Sequence, residues 1–356
     1  MIFIITEKKA ETYSSLLYKV NEGMCDCYFT SFVSDLVSDN DIDLSNYVIN
    51  KKKNKIANLL ELKSKIINSK SRIRFKTSGT TGNAKKITHD MSFLLNKTKK
   101  FTKSCVWLYT YNKLHMGGVQ VLLQALINND TVIDGYKKDR DYIFNVMKEY
   151  EVTNISATPT FYKLLLPIKE QFLKVKKITV GGERTDDKTI EIINEMFPNA
   201  KVNNIYATTE HGAVLFSRNN VFKVNDKIMI KGGVLLVKTG ENIHYNTGDL
   251  VKMINDTEFV FIGRNAEIIN IGGRNVNPSQ IEDVITNHPK ISQAVVYTKS
   301  NKLLGNILAC KVVSTEVTEN EIRSYLKEKI KEGYKIPRII NLVDSVLVSK
   351  NNKVVR

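Results

Sequence analysis

Short apolar runs alternate with amphipathic segments through the middle of the chain. The stretch 152–160, VTNISATPT, has the character of a strand that ends in a proline turn, and a helix is predicted to begin within 161–166. Further strands are predicted at 177–180 and 201–205, with a helix at 187–197 between them. Strand, helix and strand in succession indicate a parallel sheet covered by helices. The pattern therefore predicts an α/β fold with parallel-type sheets.

After residue 264 the pattern changes to that of a smaller α+β unit. The elements predicted there are one helix and two strands, at 278–287, 294–298 and 307–313. Thr318 and Glu321 have the spacing of a capping box, and the helix that they start is predicted to bury one face. That face carries Ile322, Leu326 and Ile330. We predict a large N-terminal domain at 1–264 and a small C-terminal domain at 265–356.

Composition and charge narrow the class of partners. Of the 356 residues, 42% are hydrophobic and 25% charged, which is ordinary for a globular protein. The formal net charge of +16 favours anionic partners. The lysines are scattered and no nucleic-acid-binding motif accompanies them, so no nucleic acid partner is predicted.

Neither a leader, a membrane span nor a cysteine framework is predicted. MIFIIT at 1–6 is too short for a signal peptide and is predicted to be the first strand, and the longest apolar stretches fall short of a membrane span. No CxxC pair and no HExxH occurs among the four cysteines and five histidines, so we predict no zinc site and no disulfides. The cysteines are Cys25, Cys27, Cys105 and Cys310. We expect a cytoplasmic protein.

Residues 77–85 read TSGTTGNAK, a run of hydroxyl side chains and glycines that ends in a lysine. Gly79 and Gly82 allow backbone conformations in which peptide N–H groups approach an anion closely, and Lys85 adds a positive charge. The spacing is not that of a Walker motif, because Ala84 and Lys86 stand where that motif has glycine and serine or threonine. No GxGxxG follows a strand. The stretch predicts a phosphate-binding loop, with a polar surface turn as the plain alternative.

The loop resembles the phosphate loop of the adenylate-forming superfamily, which includes acyl- and aryl-CoA synthetases, the adenylation domains of peptide synthetases and luciferases. The usual family form is TSGTTGxPKG, from which this chain departs at Ala84 and Lys86. Further segments match the family in the right order. They are NIYATTEHG at 204–212, YNTGDLV at 245–251, FIGRNAEIINIGGRNVNPSQIEDVI at 261–285 and, at the end of the chain, DSVLVSKNNKVVR at 344–356.

The resemblance implies a role for named residues in each segment. Tyr206 would stack on adenine, Thr209 would donate to the α-phosphate, and Glu210 would be the Mg²⁺ ligand. Asp249 would accept hydrogen bonds from both ribose hydroxyls, and Arg264 would contact the ribose. The loop would hold the departing pyrophosphate through Thr77, Ser78, Gly79, Thr80, Thr81, Gly82 and Lys85.

The C-terminal segments are implied to serve two half-reactions in turn. Lys353 occupies the catalytic lysine position, and Gly273 falls at the glycine that lines the pantetheine tunnel. Asn275 stands where the family pattern has its second arginine, with Arg274 beside it as the candidate substitute. Ala266 occupies the hinge position about which the small, mobile C-terminal domain turns in the family, and aspartate or lysine is usual there.

The segment LHMGGVQVLLQAL at 114–126 resembles the acyl-pocket segment of acyl- and aryl-CoA ligases, in which His115 lies near the substrate carboxylate. A structural histidine is the alternative. Relatives that activate amino acids usually have Phe-Asp here, with the aspartate on the amine, so this chain is expected to take a carboxylic acid without a recognised amine. Gly181, Gly182 and Glu183 match the turn that borders adenine and the acyl group.

Three functions remain open. The resemblance implies ATP- and Mg²⁺-dependent activation of a small carboxylic acid to an acyl adenylate, followed by thioester formation with CoA. An alternative acceptor is the phosphopantetheine of an acyl carrier protein. A non-catalytic adenylate-binding protein is the third, supported by the departures at Ala84, Ala207, Ala266, Asn275 and Asn352. Fewer than eighty residues precede the loop, so the N-terminal region is expected to be shortened relative to the family and the acyl pocket to be more open.

Overall fold

The computed structural model describes residues 4–5, 42–43, 67–68, 72–76, 85–112, 115–240, 243–301, 305–314 and 316–347. The chain forms two compact units. The first comprises Met1–Ala157, Phe172–Thr179 and Ala207–Ala213, and the second comprises Thr158–Gln171, Val180–Tyr206 and Val214–Arg356. The predicted domain boundary between residues 264 and 265 stays a prediction.

The elements of the described residues are numbered here in chain order. The strands up to residue 217 are β1 (Ile4–Ile5), β2 (Ile42–Asp43), β3 (Arg72–Lys76), β4 (Lys86–Asp90), β5 (Val106–Tyr109), β6 (Thr131–Asp134), β7 (Asn154–Ala157), β8 (Lys177–Gly181), β9 (Lys201–Thr208) and β10 (Gly212–Ser217). The later strands are β11 (Phe222–Lys223), β12 (Ile228–Lys231), β13 (Val234–Lys238), β14 (His244–Met253), β15 (Glu258–Arg264), β16 (Ile269–Ile271), β17 (Arg274–Val276), β18 (Gln293–Asn301), β19 (Gly305–Val313) and β20 (Ile339–Leu342). The α-helices are α1 (Met91–Leu95), α2 (Met116–Asn128), α3 (Arg140–Glu149), α4 (Pro159–Leu164), α5 (Asp187–Met196), α6 (Pro278–Thr286) and α7 (Glu319–Lys329), with short 3-10 helices at Asn265–Glu267 and Gly333–Lys335.

A parallel sheet organises the first unit. β6 lies between β1 and β5 and pairs in parallel with both, and β5 pairs in parallel with β7. Among the described residues of the first unit, these four strands have the order β1-β6-β5-β7. Helix α2 buries Val119, Leu122 and Leu126 in the core of the unit. Parallel strands with buried, apolar faces confirm the predicted α/β class.

An antiparallel sheet with the order β11-β15-β14-β13-β12 belongs to the second unit. The apolar cluster at this sheet includes Leu235, Val251 and Phe259. Sequence reasoning missed this sheet. Its long strand β14 reads HYNTGDLVKM, in which asparagine, glycine and aspartate all have low strand propensity, so pairing with β13 and β15 overrides the local preference.

The C-terminal α+β unit was predicted well. β18 and β19 pair antiparallel, β19 and β20 pair in parallel, and α6 and α7 pack on the same core. Thr318 and Glu321 form the predicted capping box, with both reciprocal hydrogen bonds present. The predicted core face is confirmed, since its side chains are at most 8% exposed. They are Ile322, Leu326 and Ile330.

Two predicted boundaries upstream were wrong. Helix α4 begins at Pro159 rather than within 161–166, because the Thr158 hydroxyl accepts the Phe161 N–H and proline fits the first turn of a helix. The strand predicted at 201–205 continues to Thr208, so Tyr206 lies within a strand instead of in the turn predicted to follow it. Within the described part of the chain, none of the helices combines the length and the apolar character needed to cross a membrane.

Candidate functional site

Three side chains of the second unit that were predicted to bind the nucleoside lie together. Tyr206 Oη donates to Asp249 Oδ2 at 2.6 Å, and Arg264 Nε donates to Asp249 Oδ1 at 2.7 Å. Asp249 and Arg264 are direct partners in the register of β14 and β15, and Tyr206 comes from β9. The motifs predicted all three as site residues. The antiparallel sheet, which was not predicted from the sequence, pairs two of them, and β9 supplies the third.

The carboxylate of this cluster is buried, whereas its arginine reaches solvent. The side chain of Asp249 is 8% exposed and that of Arg264 is 47% exposed. Burial raises the pKa of Tyr206 far above its usual range, and the Asp249 carboxylate raises it further, so Tyr206 stays a hydrogen-bond donor. Burial works to lower the pKa of Arg264, but Asp249 outweighs this effect and the net shift is upward.

Asp249 keeps acceptor capacity for a ligand. An ionised carboxylate has about four lone-pair sites, and the described residues place one side-chain donor on each of its two oxygens. The remaining sites suit a pair of vicinal hydroxyls, which is the donor set of a ribose. The ring of Tyr206 stacks on Phe261 with centroids 4.6 Å apart and an interplanar angle of 21°, so one of its faces is covered by protein. A stack on adenine would use the other face of the Tyr206 ring.

In the turn after β8, the side chain of Glu183 is hydrogen-bonded within the protein. Glu183 Oε2 accepts from the N–H of Thr160 at 3.2 Å and from its hydroxyl at 2.6 Å, at the start of α4. Gly182 has a φ of +86°, and at Gly181 a Cβ would lie 3.0 Å from the Ile205 carbonyl oxygen. These contacts fix the turn against α4 and β9. Its predicted contact with the nucleotide stays a prediction.

A set of cations next to this turn was missed by sequence reasoning. Arg184 pairs with Asp283 of α6, and Lys188 donates to the carbonyls of Thr286 at 2.8 Å, His288 at 3.2 Å and Ile291. Both cations lie on or just before α5, and all their partners lie in or after α6. The only signal in the sequence was two basic residues four apart, a spacing that is common on exposed helices.

Gly273 and Arg274 lie on a separate feature, the β16–β17 hairpin. Gly272 and Gly273 form its two-residue turn, with φ of +57° and +80°, which is the left-handed geometry that glycine permits and that tight hairpins need. The guanidinium of Arg274 lies 4.7 Å from the ring centroid of Tyr334. Ala266 lies in the 3-10 helix Asn265–Glu267. The predicted roles of the hairpin and the hinge stay predictions.

In the first unit, His115 begins helix α2. Its Nδ1 accepts the Gly117 N–H at 3.2 Å, as an N-cap does, and its ring stacks on Tyr111 with centroids 6.2 Å apart. The structural alternative for this histidine therefore has direct support. It does not exclude a substrate role, because a neutral ring that accepts at Nδ1 carries its proton on Nε2, where it can donate to a carboxylate.

Thr209 and Glu210 lie in the turn between β9 and β10. His89 Nε2 lies 2.6 Å from the Thr209 carbonyl oxygen, and the His211 N–H donates to the Thr208 hydroxyl at 3.1 Å. Burial lowers the pKa of His211, Glu210 works against that shift, and His89 and Lys97 add to it. The described residues contain no group of three or more His, Cys, Asp or Glu side chains able to hold a metal. A single carboxylate fits Mg²⁺, which binds through one or two carboxylates, substrate phosphates and water.

Several predicted site residues lie outside the described residues, so their placement is not compared. They are Thr77, Ser78, Gly79, Thr80, Thr81, Gly82 and Lys353. Lys85 is described and stands immediately before β4, the strand that carries His89.

Family models match both parts of the chain. The model of the AMP-binding enzyme matches residues 75–236, and that of the AMP-binding enzyme C-terminal domain matches 280–353. The chain belongs to the AMP-binding, adenylate-forming enzyme family. The matched ranges contain Thr209, Glu210 and most of the segment 265–356, and the family assignment confirms the resemblance inferred from the motifs.

Similar proteins agree with this assignment. The 2-succinylbenzoate–CoA ligase of Staphylococcus aureus strain MSSA476 is 26% identical over 322 residues, which cover 79% of this chain and 65% of that protein. The chain thus spans about 65% of the length of the curated relatives that it matches. Among solved structures, o-succinylbenzoate CoA synthetase of Bacillus subtilis with its acyl-adenylate intermediate is 23% identical with a TM-score of 0.61, covering 79% of this chain and 67% of that one. An anthranilate CoA ligase with anthranoyl-AMP is 15% identical with a TM-score of 0.66, covering 79% and 65%. These likenesses show the adenylate-forming fold.

Proposed function

We propose that this protein is an AMP-forming acid–thiol ligase. It converts a carboxylic acid and ATP into an acyl adenylate and pyrophosphate, and then transfers the acyl group to the thiol of CoA with release of AMP. The observation that carries the proposal is the Asp249 carboxylate, which is held by Tyr206 and Arg264 and keeps acceptor sites for the two hydroxyls of a ribose. ATP and CoA are intracellular metabolites, so we place the protein in the cytoplasm.

The first half-reaction needs positioning and neutralisation of charge more than proton transfer. The substrate carboxylate is already a nucleophile, and its oxygen forms a bond to the α-phosphorus as the bond to the pyrophosphate oxygen breaks. Thr209 donates to the α-phosphate, and the 77–85 loop holds the leaving pyrophosphate. Glu210 is the ligand for Mg²⁺, which when bound neutralises charge on the phosphate oxygens. Lys353 bridges the carboxylate and the α-phosphate.

The second half-reaction exchanges the acyl–phosphate anhydride of the adenylate for a thioester. The thiol sulfur forms a bond to the acyl carbon, AMP leaves with the electrons of the broken bond, and the thiol proton is lost to solvent. The hairpin glycine Gly273 borders the path of the thiol in this proposal, and the C-terminal domain at 265–356 moves between the two steps. His115 acts before this step, in the first half-reaction: it donates from Nε2 to the substrate carboxylate while its Nδ1 caps α2.

The decisive experiment is ATP–pyrophosphate exchange with a panel of acids. The panel contains short fatty, long fatty and aromatic acids, with 2-succinylbenzoate and anthranilate included because similar proteins carry those names. We expect exchange with at least one acid and its loss in Lys353→Ala, with little change in ATP affinity, since the lysine acts in the transition state. Equal turnover by Lys353→Ala would refute its role. Retained ATP binding without exchange for any acid would favour a non-catalytic adenylate-binding protein.

A carrier protein is the second candidate acceptor, favoured by the net charge of +16, because carrier proteins of this class are acidic. Thioester formation should be compared with free CoA and with a phosphopantetheine-bearing carrier at equal concentrations. A rate with CoA that exceeds the carrier rate at low and high salt supports the main proposal. A carrier rate that is larger and falls steeply with salt supports the alternative.

A further inference from the structure

His89 makes a contact that the motif analysis did not assign. It lies in β4, the strand that begins immediately after Lys85 and the phosphate loop, and its Nε2 is 2.6 Å from the backbone carbonyl oxygen of Thr209. A carbonyl oxygen only accepts hydrogen bonds, so the Nε2 atom carries a proton and donates it. The bond joins two segments that are 120 residues apart in the chain and that both carry predicted ATP contacts.

The imidazole ring is held in the orientation that this bond needs. It stacks on Phe93 with centroids 4.3 Å apart and an interplanar angle of 8°, and it packs at a tilt against Phe75 with centroids 6.2 Å apart. Phe93 also lies near the other end of the turn, since a Cβ built on Gly212 would be 3.7 Å from its Cζ. His89 therefore bonds to the turn at Thr209, and its stacking partner lies near Gly212.

We propose that His89 is a positioning residue for the adenylation step, and that it sets the placement of Thr209 and Glu210 relative to the strand that leaves the phosphate loop. This inference rests on the proposed function. A donor to the α-phosphate and a metal-binding carboxylate must be held to within about 0.5 Å of their productive positions. A backbone hydrogen bond at Thr209 acts on both, because it fixes the peptide unit from which the Glu210 side chain departs.

Two substitutions separate the donor from the ring. His89→Phe keeps a flat ring for the stack on Phe93 and removes the N–H, whereas His89→Gln removes the ring and places an amide N–H at about the same reach as Nε2. We expect His89→Phe to lower kcat of pyrophosphate exchange about 10- to 100-fold, in line with a misplacement of about 1 Å, and to raise the free Mg²⁺ needed for half-maximal rate several-fold. His89→Gln should restore most of the loss in both quantities.

The matched control is His288→Phe. His288 is also half-buried and also contacts an aromatic ring, that of Tyr325, at 5.0 Å between centroids, and within the described ranges no contact joins it to a predicted site residue. The control should leave kcat and the Mg²⁺ dependence within about two-fold. Equal losses in His89→Phe and His89→Gln, with the Mg²⁺ midpoint of the wild type, would show that His89 only supports the fold and would overturn the proposal.

Two readouts do not depend on turnover. Long-range ¹H–¹⁵N spectra of the wild-type protein should show the His89 ring with its proton on Nε2, and a ring protonated only on Nδ1 would overturn the proposal. Calorimetry with ATP should show that added Mg²⁺ tightens binding to the wild type and to His89→Gln, and does so several-fold less for His89→Phe. If no acid supports exchange, the proposed function fails while these two readouts still decide the role of His89. If Mg²⁺ tightens ATP binding equally in the wild type, His89→Gln and His89→Phe, the proposed role of His89 is overturned.

Discussion

Two clusters of the second unit, each built on an arginine–aspartate pair, differ in which of their groups already have partners. In the first cluster, Arg184 pairs with Asp283, and the neighbouring Lys188 has three N–H groups and three carbonyl acceptors at the end of α6 and beyond. In the second cluster, each Asp249 carboxylate oxygen has one described side-chain donor, and the paired Arg264 is 47% exposed. The donors of Lys188 are therefore all used inside the protein, whereas the Asp249 carboxylate keeps acceptor sites for a ligand.

We interpret the first cluster as structural and the second as a candidate binding site. Arg184 pairs with the Asp283 carboxylate in α6, and Lys188 donates to carbonyls at the C-terminal end of that helix and just beyond it, where positive charge is stabilised by the helix dipole. Burial lowers the pKa of Lys188, and Lys163 lowers it further, yet three carbonyl acceptors still hold its ammonium group. The Asp249 cluster has no such closure. We therefore expect substitutions in the first cluster to reduce stability and substitutions in the second to reduce nucleotide use.

The largest effect is expected for Asp249→Asn. The variant keeps the shape of the side chain but removes the charge that strengthens hydrogen bonds from ribose hydroxyls, and hydrogen bonds to charged groups contribute about 1.5–3 kcal/mol each. We expect kcat/KM for ATP in pyrophosphate exchange to fall about 100-fold, which corresponds to about 2.7 kcal/mol. Stability should fall by only about 1 kcal/mol, because Arg264 can turn to water.

Urea unfolding and exchange kinetics on the same preparation test this expectation together. A variant that loses several kcal/mol of stability but exchanges within two-fold of the wild type would place Asp249 in the structural class and remove the contrast between the two pairs.

Next in size is Arg184→Met, which keeps much of the apolar stem and removes the guanidinium. Asp283 is then left without its partner in a site where the two side chains are 24% and 35% exposed. Breaking a buried pair costs about 3–5 kcal/mol, and partial exposure reduces this, so we expect a loss of about 1–2 kcal/mol. Urea unfolding measures it. ATP affinity should remain within about two-fold, and Asp283→Asn in the same background should add little, because the pair is already broken.

The contrast between the two clusters also explains which of their residues could be predicted from the sequence and which could not. Asp249, Tyr206 and Arg264, which lie together in the structure, were predicted as site residues because each lies in a segment whose residue order is specific. Arg184 and Lys188 were not found, since a single arginine and a single lysine before and on a helix look like solvated charges. Their role depends on groups about 100 residues away, which are the Asp283 carboxylate for Arg184 and three carbonyls at the end of α6 and beyond for Lys188, and only the fold brings these groups together.

Secondary structure shows the same division. Helices α5, α6 and α7 follow from local periodicity and caps, and the capping box of Thr318 and Glu321 is present as predicted. The antiparallel sheet from β11 to β15 was missed, because strand β14 contains residues of low strand propensity. Its bulge between Leu250 and Val251, next to Asp249, is defined by the pairing with β15, which has no local signature in the sequence.

A smaller effect is expected for Tyr206→Phe, which removes one donor from Asp249 and keeps the stack on Phe261. Since Arg264 still holds the carboxylate, kcat/KM for ATP should fall only about three- to ten-fold, and stability by about 1 kcal/mol, the usual contribution of one hydrogen bond. Steady-state exchange and urea unfolding measure the two quantities. A loss as large as that of Asp249→Asn would mean that Tyr206 contacts the nucleotide with its hydroxyl, and that the cluster is less open than its free acceptor sites indicate.

The smallest effect concerns pH and extends the comparison to His211, beside the predicted metal ligand Glu210. Burial lowers the pKa of His211 in the folded protein, with further lowering by His89 and Lys97, so the unfolded chain binds the proton more readily. Stability attributable to this group is therefore fully present above the unfolded value of about 6.5 and is lost as pH falls from there through the lower folded pKa. His211→Gln has no such titration. Urea unfolding at a series of values from about pH 8 to about pH 5 should show the wild type losing more stability than the variant, with most of the difference arising below about pH 6.5. Parallel curves for the two proteins would mean that burial does not oppose the protonation of His211. The turn would then accept a further positive charge without a loss of stability.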